Sequence, residues 1–283
     1  MNNTSINGVG FSGLSGFGML IDSQTSYYIM DSSNGRIIIF DKNWKYASTK
    51  SISSPYSMIT RNNYLYITSD YYIYKTDKFL NVVKQYPSNN PNYMGFRGIC
   101  YNSYDDYIYA ASYNNLIYSF DLNLNLIDSF YISTWGSPWG IQSNNNKLYV
   151  SATHYYIYIV VNRTVINSFP VPEFVTSMLF DQSGFFATTS YYSNQINIYT
   201  NNGTYTGKSF PTVSYSRYMS FDSKNRLIIL SNYQLSIFVR NDTTKVNETL
   251  LSNPKESNNI SANASLDMNR KFFCKNYFKY LTS

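Results

Sequence analysis

Six positions that recur along the chain combine guanidinium groups with aromatic rings. They are Phe17, Tyr56, Arg97, Trp139, Thr176 and Arg217, spaced by 39, 41, 42, 37 and 41 residues. Arginine side chains beside aromatic planes can bind carboxylates, phosphates, sugar rings and unstacked bases. Trp135 lies close to Trp139 along the chain and adds a second indole. These residue types predict a site for a ligand or a partner, and the alternative role is to fill a channel.

Few residues suit catalysis or metal binding. His154 is the single histidine of the 283 residues, which argues against a metal site or a catalytic triad that needs histidine ligands or bases. The recurring positions carry no carboxylate, and Asp22, Asp181 and Asp222 fall in turns where capping of the backbone accounts for them. We therefore expect no catalytic residue, no metal and no cofactor.

The elements that must position these residues form a repeat of about 40 residues. Each unit holds four short runs rich in tyrosine and β-branched residues, bounded by Asn, Asp, Ser and Gly. Such runs favour strands, and six units of four strands are typical of a β-propeller. We predict an all-β fold, a six-bladed β-propeller of four-stranded antiparallel blades over residues 16–251. An N-terminal segment, 1–15, and a polar, then basic and aromatic C-terminal tail, 252–283, lie outside the repeats.

The first unit resembles an NHL repeat. It runs Gly18-Met19-Leu20-Ile21-Asp22, then Tyr28-Ile29-Met30-Asp31, then Asn34-Gly35-Arg36-Ile37, then Phe40. That family's motif is roughly Gly-Ile-x-x-Asp, then Tyr-Val-x-Asp, then Asn-x-Arg-Ile, then Phe. The other five units keep the strand pattern but lack the central Asp, Asn and Arg together. The resemblance implies a six-bladed propeller, but no particular activity, because the family includes RNA binders, protein binders and enzymes.

Propeller geometry sorts the connections onto two faces. The turns between strands one and two and between strands three and four share one face, here called the turn face. The second-to-third turns and the blade-to-blade crossings share the opposite one, the crossing face. The crossings are longer and more varied, and variable loops on a rigid scaffold are where binding usually occurs. We therefore expect the site on the crossing face, with Arg97 and Arg217 facing each other across the channel mouth.

Composition and charge narrow the choice of partner. Charged residues make up 13% of the chain and the net charge is +6, which is too mild to imply a polyanionic partner by itself. No apolar run approaches the roughly 18 residues of a membrane span, and no signal peptide is visible. We expect a soluble protein, intracellular by default. It would be a non-enzymatic scaffold that binds a protein, peptide or small polar ligand. The alternatives are a propeller that binds single-stranded RNA and a lactonase-like or lyase-like enzyme.

Overall fold

The chain folds as a six-bladed β-propeller, as predicted. The computed structural model describes residues 16–21, 26–87, 94–132, 136–181, 184–212, 215–221, 227–231, 234–238 and 247–252. These residues form six four-stranded antiparallel sheets, and each sheet is one blade. The two predicted terminal segments, 1–15 and 252–283, lie outside the described residues except for Ser252.

The strands of each blade follow one another from the channel outward. Blade 1 holds β1 (Gly16–Ile21), β2 (Ser26–Asp31), β3 (Arg36–Asp41) and β4 (Tyr46–Ser51), with a 3₁₀ turn at Ser32–Asn34; blade 2 holds β5 (Ser57–Arg61), β6 (Tyr64–Thr68), β7 (Ile73–Thr76) and β8 (Val82–Tyr86). Blade 3 holds β9 (Phe96–Asn102), β10 (Tyr107–Ser112), β11 (Leu116–Phe120) and β12 (Leu126–Tyr131); blade 4 holds β13 (Pro138–Asn144), β14 (Lys147–Ala152), β15 (Tyr156–Val161) and β16 (Thr164–Pro170). Blade 5 holds β17 (Val175–Phe180), β18 (Phe185–Ser190), β19 (Gln195–Thr200) and β20 (Tyr205–Pro211); blade 6 holds β21 (Ser216–Phe221), β22 (Leu227–Ser231), β23 (Gln234–Phe238) and β24 (Asn247–Ser252).

The core lies between the blades. Six clusters of buried apolar side chains fill the six spaces between neighbouring blades, and blades 1 and 6 share one of them. Strand β1 packs against β21 and β22, which closes the ring. Because blade 6 has its own fourth strand, β24, the ring closes by side-chain packing and not by a blade shared between the two ends. This packing buries both sides of each blade and stabilises the scaffold by removing apolar surface from water.

Small residues line the channel because neighbouring backbones approach closely there. A Cβ atom on Gly18 would lie 2.1 Å from the carbonyl oxygen of Tyr56, and one on Gly98 would lie 2.6 Å from that of Trp139. Both obstacles are backbone atoms, which cannot turn aside as a side chain can. Glycine at these positions therefore lets the innermost strands converge on the axis.

Aspartate turns close the outer hairpins of blades 1, 2 and 3. In blade 3, Asp121 Oδ1 accepts hydrogen bonds from the backbone N–H groups of Asn123 and Asn125, both at 2.8 Å. Leu124 adopts a left-handed conformation, with φ 59°, and its side chain is buried. The same pattern recurs around Asp41 and Asp77. Asp41, Asp77 and Asp121 are thus turn residues, whose carboxylates accept hydrogen bonds from the backbone of their own turns.

Tyrosines of the second strands connect neighbouring blades. The hydroxyl of Tyr66 in blade 2 donates to the carbonyl oxygen of Leu122 in blade 3, at 2.6 Å. Tyr149 in blade 4 donates to the carbonyl oxygen of Asn201 in blade 5, at 2.8 Å. Both rings are buried between blades. A tyrosine therefore fills the interblade space and satisfies a turn carbonyl of the next blade.

Candidate functional site

The described residues at the recurring positions meet at one end of the central channel. The guanidinium carbon of Arg97 lies 3.9 Å from the ring centroid of Tyr56 and 5.1 Å from that of Trp139. The guanidinium carbon of Arg217 lies 3.8 Å from the ring centroid of Phe17. We call these five residues the mouth cluster, and it lies on the crossing face, where each innermost strand begins.

Aromatic side chains from opposite blades of the propeller close the channel mouth. The Phe17 ring of blade 1 lies 5.2 Å from that of Tyr56 and 6.2 Å from that of Trp139 in blade 4, between centroids. Phe174 packs edge-on against Trp139 at 5.1 Å. The cavity behind these rings encloses about 40 Å³. Since one water needs on the order of 10–15 Å³, the channel has room for a few waters and not for an organic ligand.

Asp70 is the residue that sequence reasoning missed. Arg97 Nη1 donates to Asp70 Oδ1 at 2.9 Å and to the carbonyl oxygen of Phe96 at 3.1 Å. The Arg97 side chain is 6% exposed and that of Asp70 20%. The six recurring positions carry no carboxylate, but Asp70, which is not one of them, brings one to the mouth. Asp70 comes from the second-to-third turn of blade 2, so an alignment of the innermost strands alone does not reveal it.

The other predicted positions are equally enclosed. Arg217 is buried, with its guanidinium carbon 3.8 Å from the ring centroids of both Phe17 and Tyr191. Thr176 is buried, and its Oγ1 donates to the carbonyl oxygen of Ser216 at 3.2 Å, which joins blade 5 to blade 6. Trp135 lies outside the described residues.

The mouth cluster presents rings to the solvent and keeps its cations inside. Phe17, Tyr56 and Trp139 are partly exposed, whereas Arg97 and Arg217 are buried. Guanidinium groups held against ring faces are stabilised by the ring quadrupoles. The arrangement can therefore offer ring surface for stacking on a rigid base, and the paired carboxylate of Asp70 offsets one of the two positive charges.

Other candidate chemistry is sparse in the described part of the chain. It contains no group of three or more His, Cys, Asp or Glu side chains that could hold a metal ion. Burial raises the pKa of the Cys100 thiol well above its usual range, so this cysteine is a packing residue. Asp181 Oδ1 accepts from the backbone N–H of Phe185 at 2.9 Å, which confirms its turn role, whereas Asp22 and Asp222 lie outside the described residues. No helix of this part is long and apolar enough to span a bilayer.

Comparison with known proteins identifies the fold of the chain but not its function. No protein-family model and no curated protein match the chain. Among solved structures, a catalytically inactive virginiamycin B lyase from Staphylococcus aureus with quinupristin is similar, with TM-score 0.66, 13% identity and 87% of each chain covered. A chain of the mitotic checkpoint complex has TM-score 0.60 and 13% identity, over 79% of this chain and 76% of that one. The WD40 domain of Neurospora crassa Pan2 has TM-score 0.61 and 10% identity, over 85% and 80%. These likenesses identify the architecture as that of a β-propeller.

Proposed function

We propose that this chain is a non-enzymatic binding scaffold whose crossing face engages a protein or a peptide. The observation that carries the proposal is the distribution of exposed tyrosines. Nine tyrosines of the described residues are exposed, and seven of them lie at the crossing end of the blades: Tyr71, Tyr113, Tyr131, Tyr155, Tyr156, Tyr192 and Tyr215. Only Tyr104 and Tyr205 among the described residues lie at the turn face.

Tyrosines around a rigid centre suit protein recognition. Tyrosine supplies a large contact area at low conformational cost, and aromatic residues are enriched in interfaces. The mouth cluster lies at the centre of this face and holds its rings in fixed positions. Phe17, Tyr56 and Trp139 would then be the central contacts, with Arg97, Thr176 and Arg217 as their support. Trp135 belongs to the proposed surface by its place in the crossing that leads to blade 4.

Charge supports a protein partner over RNA. The exposed charged residues of the described chain lie on the turn face or in outer strands: Lys42, Lys45, Lys50, Arg61, Lys78, Lys84, Asp106 and Arg163. The two arginines at the mouth are buried against aromatic rings. An RNA-binding surface needs exposed cations that reach phosphates, and those of the described residues are not gathered on the crossing face.

The resemblance of the first unit to NHL repeats and the similar solved structures give weaker support to a protein-binding function. The NHL-like first unit suggests that the chain is an NHL-type propeller, a class that includes protein binders. One similar solved structure is part of a checkpoint complex, which is an assembly of proteins. Another similar structure is a lyase. The proposal that this chain is not an enzyme must therefore be tested by an activity assay.

Site-specific photo-crosslinking tests the proposal. A photoreactive amino acid replaces Tyr113 or Tyr192 on the crossing face, and Tyr104 or Tyr205 on the turn face serves as the matched control. We expect one crosslinked protein at the first pair of positions and none at the second. The triple variant Tyr71→Ala, Tyr113→Ala, Tyr192→Ala should lose this partner, whereas Tyr104→Ala with Tyr205→Ala should keep it. Equal crosslinking on both faces, or retention by the triple variant, would contradict the proposal.

Two further assays distinguish the proposed protein-binding function from RNA binding and from lyase activity. An RNA binder should bind single-stranded oligonucleotides with an affinity that falls steeply with salt, whereas we expect no such binding. A lyase-like enzyme should convert quinupristin, which mass spectrometry would detect. Turnover of that compound would overturn the non-enzymatic assignment.

A further inference from the structure

The exposed cations of the described chain are concentrated in two of the six blades. Seven lysine and arginine side chains of the described residues are exposed, and six of them belong to blades 1 and 2: Lys42, Lys45, Lys50, Arg61, Lys78 and Lys84. The seventh is Arg163 of blade 4. Arg61 donates to the hydroxyl of Tyr101 in blade 3, at 2.9 Å, which leaves five lysines on the turn face and the outermost strands of blades 1 and 2.

These five lysines give blades 1 and 2 a local positive charge. None of them forms a salt bridge with a carboxylate of the described residues. The carboxylates of the same turns, Asp41 and Asp77, accept hydrogen bonds from backbone N–H groups. Lys84 Nζ donates to a neutral group, Asn125 Oδ1, at 2.6 Å, so its charge is not neutralised. Five lysines therefore outnumber two carboxylates here, which the modest net charge of the whole chain does not reveal.

An exposed phenylalanine projects from the same surface. Phe79 is 80% exposed, more than any other large hydrophobic side chain of the described residues. Its backbone N–H donates to Asp77 Oδ1, as the N–H groups of Asn43 and Asn123 donate to the aspartates of the equivalent turns. The turn therefore uses only the backbone at this position. The next side chain, Leu80, is buried in the cluster between blades 1 and 2 and anchors the turn.

Two valines continue the apolar surface along β8, the edge strand of blade 2. Val82 is 52% exposed and Val83 57%. In the ladder between β7 and β8, Thr76 pairs with Val82 and Lys75 pairs with Lys84, so Val83 is the extra residue of a β-bulge. A bulge on an edge strand disfavours pairing with another strand. This surface therefore offers a partner its side chains and not its backbone.

Lysines flank the apolar side chains. Lys78 directly precedes Phe79, and Lys84 directly follows the two valines. The hydrogen bonds of the turn lower the pKa of Asp77, and the charge of Lys50 in blade 1 lowers it further, so Lys50 reaches this turn from the neighbouring blade. We call the surface the Phe79 edge, and it consists of Lys50, Lys78, Phe79, Val82, Val83 and Lys84.

We propose that the Phe79 edge binds the surface of a membrane that contains anionic lipids. Phe79 and the two valines enter the boundary between headgroups and acyl chains, where apolar side chains leave water. The flanking lysines meet the negative charge of the headgroups. Lys42 and Lys45, in the equivalent turn of blade 1, add to this attraction. The surface lies at the turn face, so the crossing face stays open to a partner.

The residue types favour lipid over an acidic protein or a nucleic acid. Lysine is depleted at protein–protein interfaces, where tyrosine, tryptophan and arginine are enriched, and the Phe79 edge holds three lysines and none of those three types. Nucleic acids are bound through stacking on several aromatic rings and through arginine forks, which two valines and one phenylalanine do not supply. The compact charge of lysine on a flexible stem suits a fluid array of headgroups.

Flotation of the full chain with lipid vesicles tests this inference. Vesicles of phosphatidylcholine with about 30% phosphatidylserine are compared with vesicles of phosphatidylcholine alone, at about 0.1 M salt. We expect binding to the anionic vesicles to be at least about tenfold stronger. Most of this binding should be lost at about 0.5 M salt, because salt screens the attraction between exposed lysines and headgroups.

Substitutions on the Phe79 edge should weaken binding without loss of stability. Phe79→Ala should weaken it about tenfold, because the ring no longer leaves water. Lys78→Ala with Lys84→Ala should weaken it about tenfold or more, since each lysine near an anionic surface contributes about fivefold. The matched controls are Ile166→Ala and Arg163→Ala, which remove an exposed apolar and an exposed cationic side chain of blade 4 and should leave binding within about twofold. The Tm should stay unchanged in all of these variants, because the side chains are exposed.

Three outcomes overturn the inference. One is the absence of a preference for anionic vesicles. Another is binding that Phe79→Ala and the double lysine variant leave unchanged, which would assign it to another part of the chain, such as 253–283. The third is lysine-dependent binding of poly-glutamate or of single-stranded RNA without binding to anionic vesicles, which would make the surface a site for an acidic protein or a nucleic acid. The crosslinking at Tyr113 and Tyr192 concerns the opposite face, so the two proposals fail or survive separately.

Discussion

Arg97 is the residue on which the mouth cluster depends. Its guanidinium group is buried, stacks on the Tyr56 ring and donates to Asp70 at 2.9 Å. A buried cation costs several kcal/mol of desolvation unless a carboxylate and ring faces compensate it. Both compensations are present here. Arg97 therefore joins blade 2, through Tyr56 and Asp70, to the innermost strand of blade 3.

We predict that Arg97→Ala lowers the free energy of unfolding by about 3 kcal/mol, because it leaves Asp70 without its cation and opens a gap beside the rings of Tyr56 and Trp139. Urea unfolding followed by tryptophan fluorescence measures this change. The matched control is Arg61→Ala. Arg61 also stacks on a tyrosine, Tyr101 at 4.2 Å, but it is exposed. Its replacement should cost less than about 1 kcal/mol. Equal effects of the two substitutions would contradict the structural role of Arg97.

At the scale of the element, the aspartate turns show how a short motif stabilises the turn of a β-hairpin. Asp121 Oδ1 accepts two backbone N–H groups, and Asn125 Nδ2 donates to Oδ2 at 2.8 Å. Burial raises the pKa of Asp121, but the hydrogen bonds from Asn125 and Asn123 outweigh it and hold the pKa below its ordinary value. The turn therefore prefers the ionised carboxylate.

We predict that Asp121→Ala lowers the free energy of unfolding by about 1 kcal/mol, whereas Asp121→Asn keeps the Oδ1 acceptor and costs less. The pH dependence has a definite sign. Because the folded pKa lies below the unfolded one, the ionised turn stabilises the fold above about pH 4, and this contribution disappears as the pH falls through the folded pKa. Thermal melts between pH 2 and 6 should show a shallower acid limb for Asp121→Asn than for the unchanged chain. Parallel curves for the two proteins would contradict this account.

At the scale of the whole molecule, tyrosine is the residue that connects the blades. Burial raises the pKa of Tyr66 and of Tyr149 to about 12, and both hydroxyls donate to carbonyl oxygens of the next blade. A phenolate can neither donate this hydrogen bond nor stay in an apolar interblade space. The ring of blades therefore depends on protonated tyrosines.

We predict that the propeller loses stability steeply between pH 10 and about pH 12. The folded pKa values lie above the ordinary value of about 10, so the folded state retains protons that the unfolded chain releases. The last part of the rise in tyrosinate absorbance, which belongs to the buried tyrosines, should coincide with the loss of the circular dichroism signal. Tyr149→Phe should cost about 0.5–1.5 kcal/mol at neutral pH and flatten the alkaline limb. Tyrosinate absorbance that rises fully before the fold is lost would contradict this coupling.

The repeat of the chain determines much of this architecture. A period of about 40 residues with four strand-forming runs predicts six blades, and the small residues at positions such as Gly18 and Gly98 predict a crowded axis. The aspartate turns are equally local, since the Asp121 carboxylate accepts its hydrogen bonds from residues two and four positions away. Features that depend on neighbours in sequence can be predicted from sequence, because each repeat unit carries its own turn and strand chemistry.

Contacts between distant repeat units could not be predicted from the sequence and are seen only in the tertiary structure. The ring contact of Phe17 with Trp139 joins residues of blades 1 and 4, and it exists only because closure of the ring brings their side chains to one axis. The periodicity places Arg97 at the mouth, but it does not reveal that Asp70 neutralises it or that the side chain is buried. Likewise, His154 is an unremarkable turn residue in the sequence, and only the structure shows that its imidazole packs on the backbone of Gly136. Side-chain direction and burial depend on the whole ring of blades, which no single repeat unit contains.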